Sequence, residues 1–395
     1  MDRLRELDFL RGIAVLLVLF RHSLIYRPLL TMGWMGVDLF FVLSGFLISG
    51  LLFKEYQKFG RIAGFHFLVR RAFKIYPVYY ISLPLYALSL LASNHLIPLR
   101  SLGDVFFVQN FVNGWGYLCP PSWSLAIEEH FYFGLVLVLV CLTAKNLFKP
   151  SAKDGLGREE KIMIAVMVAV LALRVASNRL MPAEIVRNFT MTHLRIDALL
   201  SGVLVSYLYY FKRNYLARLF DKWGRLMMPA AVALLAWTPF VEPVGSFFVE
   251  TVGFTLVYSA FALVLLCILM DAKINVKLDR IFSKKGVNAV SRIGVYSYSI
   301  YVFHWLVNDT VRSFYNGALA SYITIPLGLI VGALVSIYIE SYFLRLRDMH
   351  FPSRLKTTPA MVLKNSLAQS GVKATPSILR EAISLEGVDA ETSSM

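Results

Sequence analysis

Long apolar runs recur from one end of this chain to the other, each long enough to cross about 30 Å of hydrocarbon as a helix. Their approximate bounds are 7–28, 34–54, 75–94, 123–144, 160–179, 195–211, 226–241, 248–271, 294–312 and 320–344. The pattern predicts an all-α integral membrane protein of about ten transmembrane helices. The first run continues apolar past Leu24 without a small-residue cleavage site, so it is expected to remain as a first span and not to be removed as a signal peptide.

Two stretches break the pattern. Residues 101–122 carry Phe106, Phe107, Phe111, Trp115, Tyr117 and the Pro120–Pro121 pair. This is too interrupted for a spanning helix and is expected at the outer interface, where aromatic side chains are favoured. From about Met349 the chain turns polar, with Pro359, Pro376 and a Ser/Thr/Glu-rich end. The expected organisation is a transmembrane domain over 1–347 and a mobile cytoplasmic tail over 348–395, with one short helix near 377–386.

Charge supplies the orientation. Lys and Arg number six in loop 54–74, five in 145–161, five in 212–225 and six in 271–292. The loops between them hold none in 29–33, Arg100 alone in 95–122, Arg179 and Arg187 in 179–193, and none in 242–247. The positive-inside rule then places both termini in the cytoplasm. The same alternation answers the net charge of +15, which by itself invites a nucleic-acid partner. Basic residues spread over alternate loops are a topology signal and not a nucleic-acid stripe. Hydrophobic residues at 57% and charged residues at 16% exclude an ordinary soluble domain. The three cysteines show no CxxC spacing, so no metal site or disulfide framework is expected.

Against this apolar background, ionisable residues inside spans need a partner, a cavity or a task, since each costs at least a few kcal/mol in hydrocarbon. The first span holds Arg11, Arg21 and His22. Arg11 and His22 are eleven residues apart, about three turns and about 16 Å along one helix face. With the N-terminus inside, Arg11 is expected near the cytoplasmic mouth and His22 in the outer half. An anion-binding cation at one end and a titratable base at the other then share a face. Asp38 lies about one turn into the second span, and Glu128 with Glu129 about two turns into the fourth. Either Asp38 or Glu128 could orient the His22 ring and support its imidazolium. Asp38, Arg195 and Asp197 read equally as a buried structural ion-pair set. Arg195 and Asp197 do not share a face, so each is expected to pair with another helix. On the cytoplasmic side, Arg70, Arg71 and Lys74 fall at i,i+4 and i,i+3 and could form one basic face. That face suits either lipid headgroups or a phosphorylated donor such as a coenzyme A thioester.

Several stretches carry a resemblance. LDFLRGIAVLLVLFRH resembles the opening of the acyltransferase family 3 membrane proteins, whose first helix carries Arg, ten residues, then His. GVDLFFVLSGFLISGLL is similar to their second helix, RRAFKIYP to their basic cytoplasmic motif, and WSLAIEEHFYF to their Trp-Ser-Leu…Glu…Phe-Tyr segment. LRIDALLSGVL, GVYSYSIYVFHW and YIESYF follow in family order, so the resemblance covers about residues 5–347.

The resemblance implies ten helices and acyl transfer, usually of acetyl, from cytoplasmic acyl-CoA to a hydroxyl of a surface sugar. It implies that Arg11 contacts the donor and His22 is the catalytic base. It also implies that Arg71 and Lys74 occupy the ends of the basic motif, and that Glu128 is the family glutamate. Lys74 stands where the family usually has Arg, and keeps the charge without the planar fork. Some members add an extracytoplasmic esterase-like domain, which the short tail here is not expected to supply.

The resulting expectation is a membrane O-acyltransferase of the bacterial inner membrane, using acyl-CoA as donor substrate with no permanently bound cofactor or metal. Its partners would be acyl-CoA, a carbohydrate or glycolipid acceptor and membrane lipid, and no nucleic acid. A proton-coupled transporter or flippase with His22, Glu128 and Asp197 as a relay is the alternative; it predicts internal repeats, which the sequence does not display.

Overall fold

The computed structural model describes residues 4–150, 154–315 and 317–355; the tail beyond 355, including the predicted helix near 377–386, lies outside the described residues. All regular elements among the described residues are helical. The long ones are α1 (Arg5–Arg21), α2 (Met35–Phe59), α3 (Gly64–Ala92), α4 (Trp123–Ala144), α5 (Arg158–Leu180), α6 (Ile196–Phe211), α7 (Arg213–Leu235) and α8 (Phe254–Met270). After them come α9 (Ile274–Phe282), α10 (Lys284–Val295), α11 (Ser297–Phe314), α12 (Ala318–Val335) and α13 (Ser341–His350). Five helical stretches are long and apolar enough to cross a membrane: Met35–Phe59, Gly64–Ala92, Pro120–Ala144, Val249–Met270 and Leu319–His350. The protein is a multi-pass, all-α membrane protein, as the apolar runs predict.

Helix ends explain where the sequence reading and the structure part. The first span was expected over 7–28, but α1 stops at Arg21. The His22 and Ser23 amides turn back to Leu19 and Phe20 carbonyls at 3.2 and 3.1 Å, tightening the last turn. Pro28 then sits in the first turn of a short helix, Arg27–Met32, where its missing N–H does no harm. In a continuous helix, Pro28 would clash with the carbonyl four residues back. His22 therefore lies at the C-cap of α1, with its ring projecting from a helix end.

Loop 271–292 is the second departure. It forms the amphipathic pair α9 and α10, broken at Ser283, whose side chain caps α10 by accepting from the Gly286 amide at 3.1 Å. Leu278 and Val287 pack on Phe9 of α1, and Asp279 pairs with Arg5. The basic residues counted there as loop charge are thus displayed on helices. The segment 99–122, as expected, is broken into short turns at Leu99–Ser101, Leu102–Val105 and Gln109–Val112.

Packing is closest where small residues let backbones approach, the usual device when lipid removes the hydrophobic drive between helices. A Cβ at Gly45 of α2 would stand 1.9 Å from the Leu199 carbonyl, and one at Gly202 of α6 would stand 2.0 Å from the Val42 carbonyl. Both obstacles are backbone, so neither can swing away. Gly45→Val is expected to destabilise the fold by about 3 kcal/mol or more, read as a lowered melting temperature in detergent. A wild-type melting curve for that variant would contradict the crossing.

Two apolar bodies result. One groups α2, α4, α6 and α8 around Phe41, Leu43, Leu199 and Phe254; the other groups α1, α3 and α11 around Val15, Tyr79, Ile300 and Val302. Val37 and Phe40 of α2 pack against both. Several of the ionisable residues that the spans contain, among them Arg11, His22, Arg71, Lys74 and Glu128, line cavities beside this seam.

Candidate active site

Two chambers lie on the seam. The inner chamber, about 160 Å³, is walled by Arg11 of α1, Val37, Phe40, Ser44 and Ile48 of α2, and Arg71, Lys74 and Ile75 of α3. Ser124 and Glu128 of α4 and Ser297, Tyr298 and Tyr301 of α11 complete it. Arg71 stacks on the Tyr132 ring at 4.6 Å, donates to its hydroxyl at 3.1 Å and stands 3.7 Å from Glu128. Glu128 also accepts from Ser44 Oγ at 2.8 Å. Lys74 pairs with Glu340, which further accepts from Ser299 at 2.7 Å and Ser336 at 3.0 Å. Glu340 is aimed inward by a π-helical turn, Ser336–Glu340, between α12 and α13. Arg11 is 3.8 Å from Asp8. The side chains of Arg11, Arg71 and Lys74 keep 24%, 20% and 22% of their surface exposed, and each stands beside a carboxylate: Asp8, Glu128 and Glu340 respectively.

The outer chamber, about 460 Å³, is rich in aromatic rings. Trp34, Trp115, Trp123, Phe189, Tyr301 and Trp305 line it together with His22, Arg21 and Arg195. The His22 ring meets Trp305 edge-on at 4.8 Å and lies 5.4 Å from the His304 ring, centroid to centroid. Its carbonyl accepts from Arg312 at 3.2 Å, and Arg21 pairs with Glu242 at the rim. The floor of the outer chamber is the segment 99–122, organised by buried Asp104. The Asp104 carboxylate accepts from the Tyr117 amide at 2.9 Å, and from the Cys119 amide and Ser122 Oγ at 3.3 Å. Burial pushes this carboxyl up from its ordinary range, while those hydrogen bonds pull it back. Among the described residues, Val37 and Tyr301 alone line both chambers.

The residues singled out from sequence divide. Arg11, Arg71, Lys74 and Glu128 gather in the inner chamber, and His22 takes the outer one. Neither carboxylate expected beside His22 reaches it. Asp38 is fully buried and bonds to Arg195 at 2.8 Å, while Glu128 faces Arg71 and Ser44. The structural reading of the outer ion pairs holds: Arg195 goes to Asp38 of α2, and Asp197 goes to Arg174 of α5 at 2.7 Å. Asp197 lines neither chamber. Arg70 also leaves the predicted basic face. It bonds to Asp348 at 3.0 Å and to the Phe351 carbonyl, fastening α3 to the last turn of α13 and the residue after it. His66 and Lys58 reach the Pro352 and Leu355 carbonyls, so residues 351–355 of the predicted tail are tied to the α2–α3 turn.

The sequence reading gave no role to Tyr301, His304 and Trp305 of α11, although i, i+3, i+4 spacing puts them on one face. The three outer tryptophans Trp34, Trp115 and Trp123 were also unassigned, because they come from separate segments that only the fold unites.

With this geometry in hand, the comparisons are direct. A family described as an acyltransferase domain matches residues 4–342. A protein of Staphylococcus aureus (strain COL) named "Putative O-acetyltransferase" is 29% identical over 365 residues, covering 85% of this chain and 56% of the relative. The O-acetyltransferase OatA of Staphylococcus aureus (strain NCTC 8325 / PS 47) is 25% identical over 341 residues, covering 81% of this chain and 53% of that protein. The chain thus spans little more than half the length of these relatives. No solved structure matches.

Proposed function

Because this chain belongs to the acyltransferase family matched over residues 4–342, we propose that it transfers an acyl group, acetyl in the first instance, from cytoplasmic acyl-CoA to a hydroxyl of a surface carbohydrate or lipid-linked sugar. The topology proposed with it has ten spans in the inner membrane of a bacterium and both termini in the cytoplasm, in keeping with the loop charges. The observation that carries the reading is a pair of neighbouring chambers of different chemistry that share Val37 and Tyr301 in their walls. A donor with phosphates on one side and an acceptor sugar on the other needs two sites of different chemistry that meet at one point.

In the proposed reaction, Arg11, Arg71 and Lys74 hold the phosphates of the nucleotide end. The long, thin pantetheine arm carries the thioester past Val37 and Tyr301. The acceptor sugar rests against the tryptophans of the outer chamber. His22 takes the proton of the acceptor hydroxyl as its oxygen bonds to the thioester carbonyl carbon. The C–S bond breaks as the tetrahedral intermediate collapses, and the proton passes from His22 to the departing thiolate. No covalent acyl-enzyme is required. Glu128 and Glu340 keep Arg71 and Lys74 extended along the inner wall.

The test is incubation of membranes with radiolabelled acetyl-CoA and extracted cell-surface glycan. Label entering the glycan supports transfer, whereas glycan movement without acetyl-CoA consumption supports the transporter reading. Arg71→Ala is expected to raise KM for acetyl-CoA about tenfold or more through loss of a charge-assisted contact, with a smaller change in kcat. An unchanged KM would remove Arg71 from the donor site.

A further inference from the structure

The base proposed above has a neighbour that is not a carboxylate. His304 of α11 is buried, 3% exposed, and does not line the outer chamber; it stands behind His22. Its Nδ1 lies 2.5 Å from the Tyr301 carbonyl oxygen. A carbonyl only accepts, so Nδ1 carries the proton and Nε2 is left with a lone pair. That Nε2 is buried and has no hydrogen-bond partner among the described residues. An unpartnered buried acceptor is costly, and such atoms ask for an explanation. The ring beside it belongs to His22, with centroids 5.4 Å apart and planes 31° from each other. One bridging water spans that separation.

We infer that His304 is the positioning residue of His22. Through a bridging water, its Nε2 takes up the N–H of one ring nitrogen of His22, which fixes the tautomer and leaves the other nitrogen, toward the chamber, with the lone pair that takes the hydroxyl proton. This is the service an aspartate gives in hydrolytic triads. Here a neutral ring performs it, with Asp38 committed to Arg195 and Glu128 to the inner chamber. The charged groups beside the pair, Arg21 and Arg312, are both cations, so an uncharged partner adds no buried anion to hydrocarbon when His22 is neutral. Trp305, edge-on to His22, and the Tyr301 carbonyl hold the two rings in place from α11 itself. When His22 is protonated, the proton between the rings stays on the His22 nitrogen that donates to the bridging water, so no second proton moves.

The inference rests on His22 acting as base, and the experiment separates the two. Full-length protein in native membranes is assayed with radiolabelled acetyl-CoA and extracted glycan as wild type, His22→Ala, His304→Ala, His304→Gln and the double alanine variant, with inserted protein quantified for each. His304→Ala is expected to lower kcat at least about tenfold with KM for acetyl-CoA within about twofold, the pattern of a group that acts on the base. His304→Gln, whose amide oxygen can accept from the same water, is expected to recover most of the loss. The double variant is expected to be no slower than His22→Ala alone. Wild-type kcat in His304→Ala, equal losses in the alanine and glutamine variants, or a further loss in the double variant would overturn the positioning role. Activity retained in His22→Ala would instead overturn the base on which it rests.

Discussion

Membranes bearing His22→Ala are expected to lose label transfer from acetyl-CoA by about 100-fold to 10,000-fold, the range a positioned general base contributes. The fold should survive the change. His22 caps α1 with its backbone: its amide reaches Leu19 and its carbonyl accepts from Arg312, and neither contact needs the ring. The ring itself touches Trp305 and His304 at the edge of the outer chamber, so its removal enlarges an existing space. Binding of acetyl-CoA should be retained, because the cations of the inner chamber are on the other side of Val37 and Tyr301. The decisive measurement is initial rate at saturating acetyl-CoA, normalised to inserted protein, with equilibrium acetyl-CoA binding alongside. Transfer within about threefold of wild type would remove His22 from the chemistry.

Asp38→Ala is expected to act in a different currency, destabilising the protein by about 3–5 kcal/mol by leaving a buried guanidinium unpaired. Asp38 and Arg195 are 0% and 1% exposed in their side chains, and bond at 2.8 Å. Arg195 lies over the Phe254 ring at 3.4 Å to the centroid, with Trp123 and Phe189 also nearby, and none of these rings replaces the lost carboxylate's charge. Arg174 and Asp197, paired at 2.7 Å, adjoin them and are equally buried. Removing both members of the first pair, as Asp38→Leu with Arg195→Met, should restore much of the stability, since two apolar groups leave no orphaned charge. Thermal melting in detergent reads both variants. An Asp38→Ala protein that melts like wild type but fails to transfer label would return Asp38 to the catalytic machinery.

Much of this was legible along the chain because the membrane constrains it so strongly. Lipid demands helical backbone, and the apolar runs are built chiefly of helices, with five stretches among the described residues long and apolar enough to cross a membrane. Where the structure departed, local chemistry was responsible. Pro28 ended the first span early, and Ser283 divided a supposed loop into α9 and α10. A capping serine at the start of an amphipathic period is a readable signal, but the run of charges around it masked the period.

The site was legible by residue and not by partnership. Sequence alone determined that Arg11 and His22 lie about three turns apart along one helix, because 1.5 Å of rise per residue leaves no freedom in the matter. It also determined that Arg195 and Asp197 must look to different helices, and that Arg71 and Lys74 sit at the basic end of α3. Only the tertiary structure decided which side chain meets which. Residues far apart in sequence, such as Asp38 and Arg195 or Lys74 and Glu340, are joined by helix crossings whose angle and register depend on close-packed glycines and on side-chain volume summed over the whole seam. That is why the neighbour of His22 proved to be His304 on α11, and not either carboxylate within reach on paper.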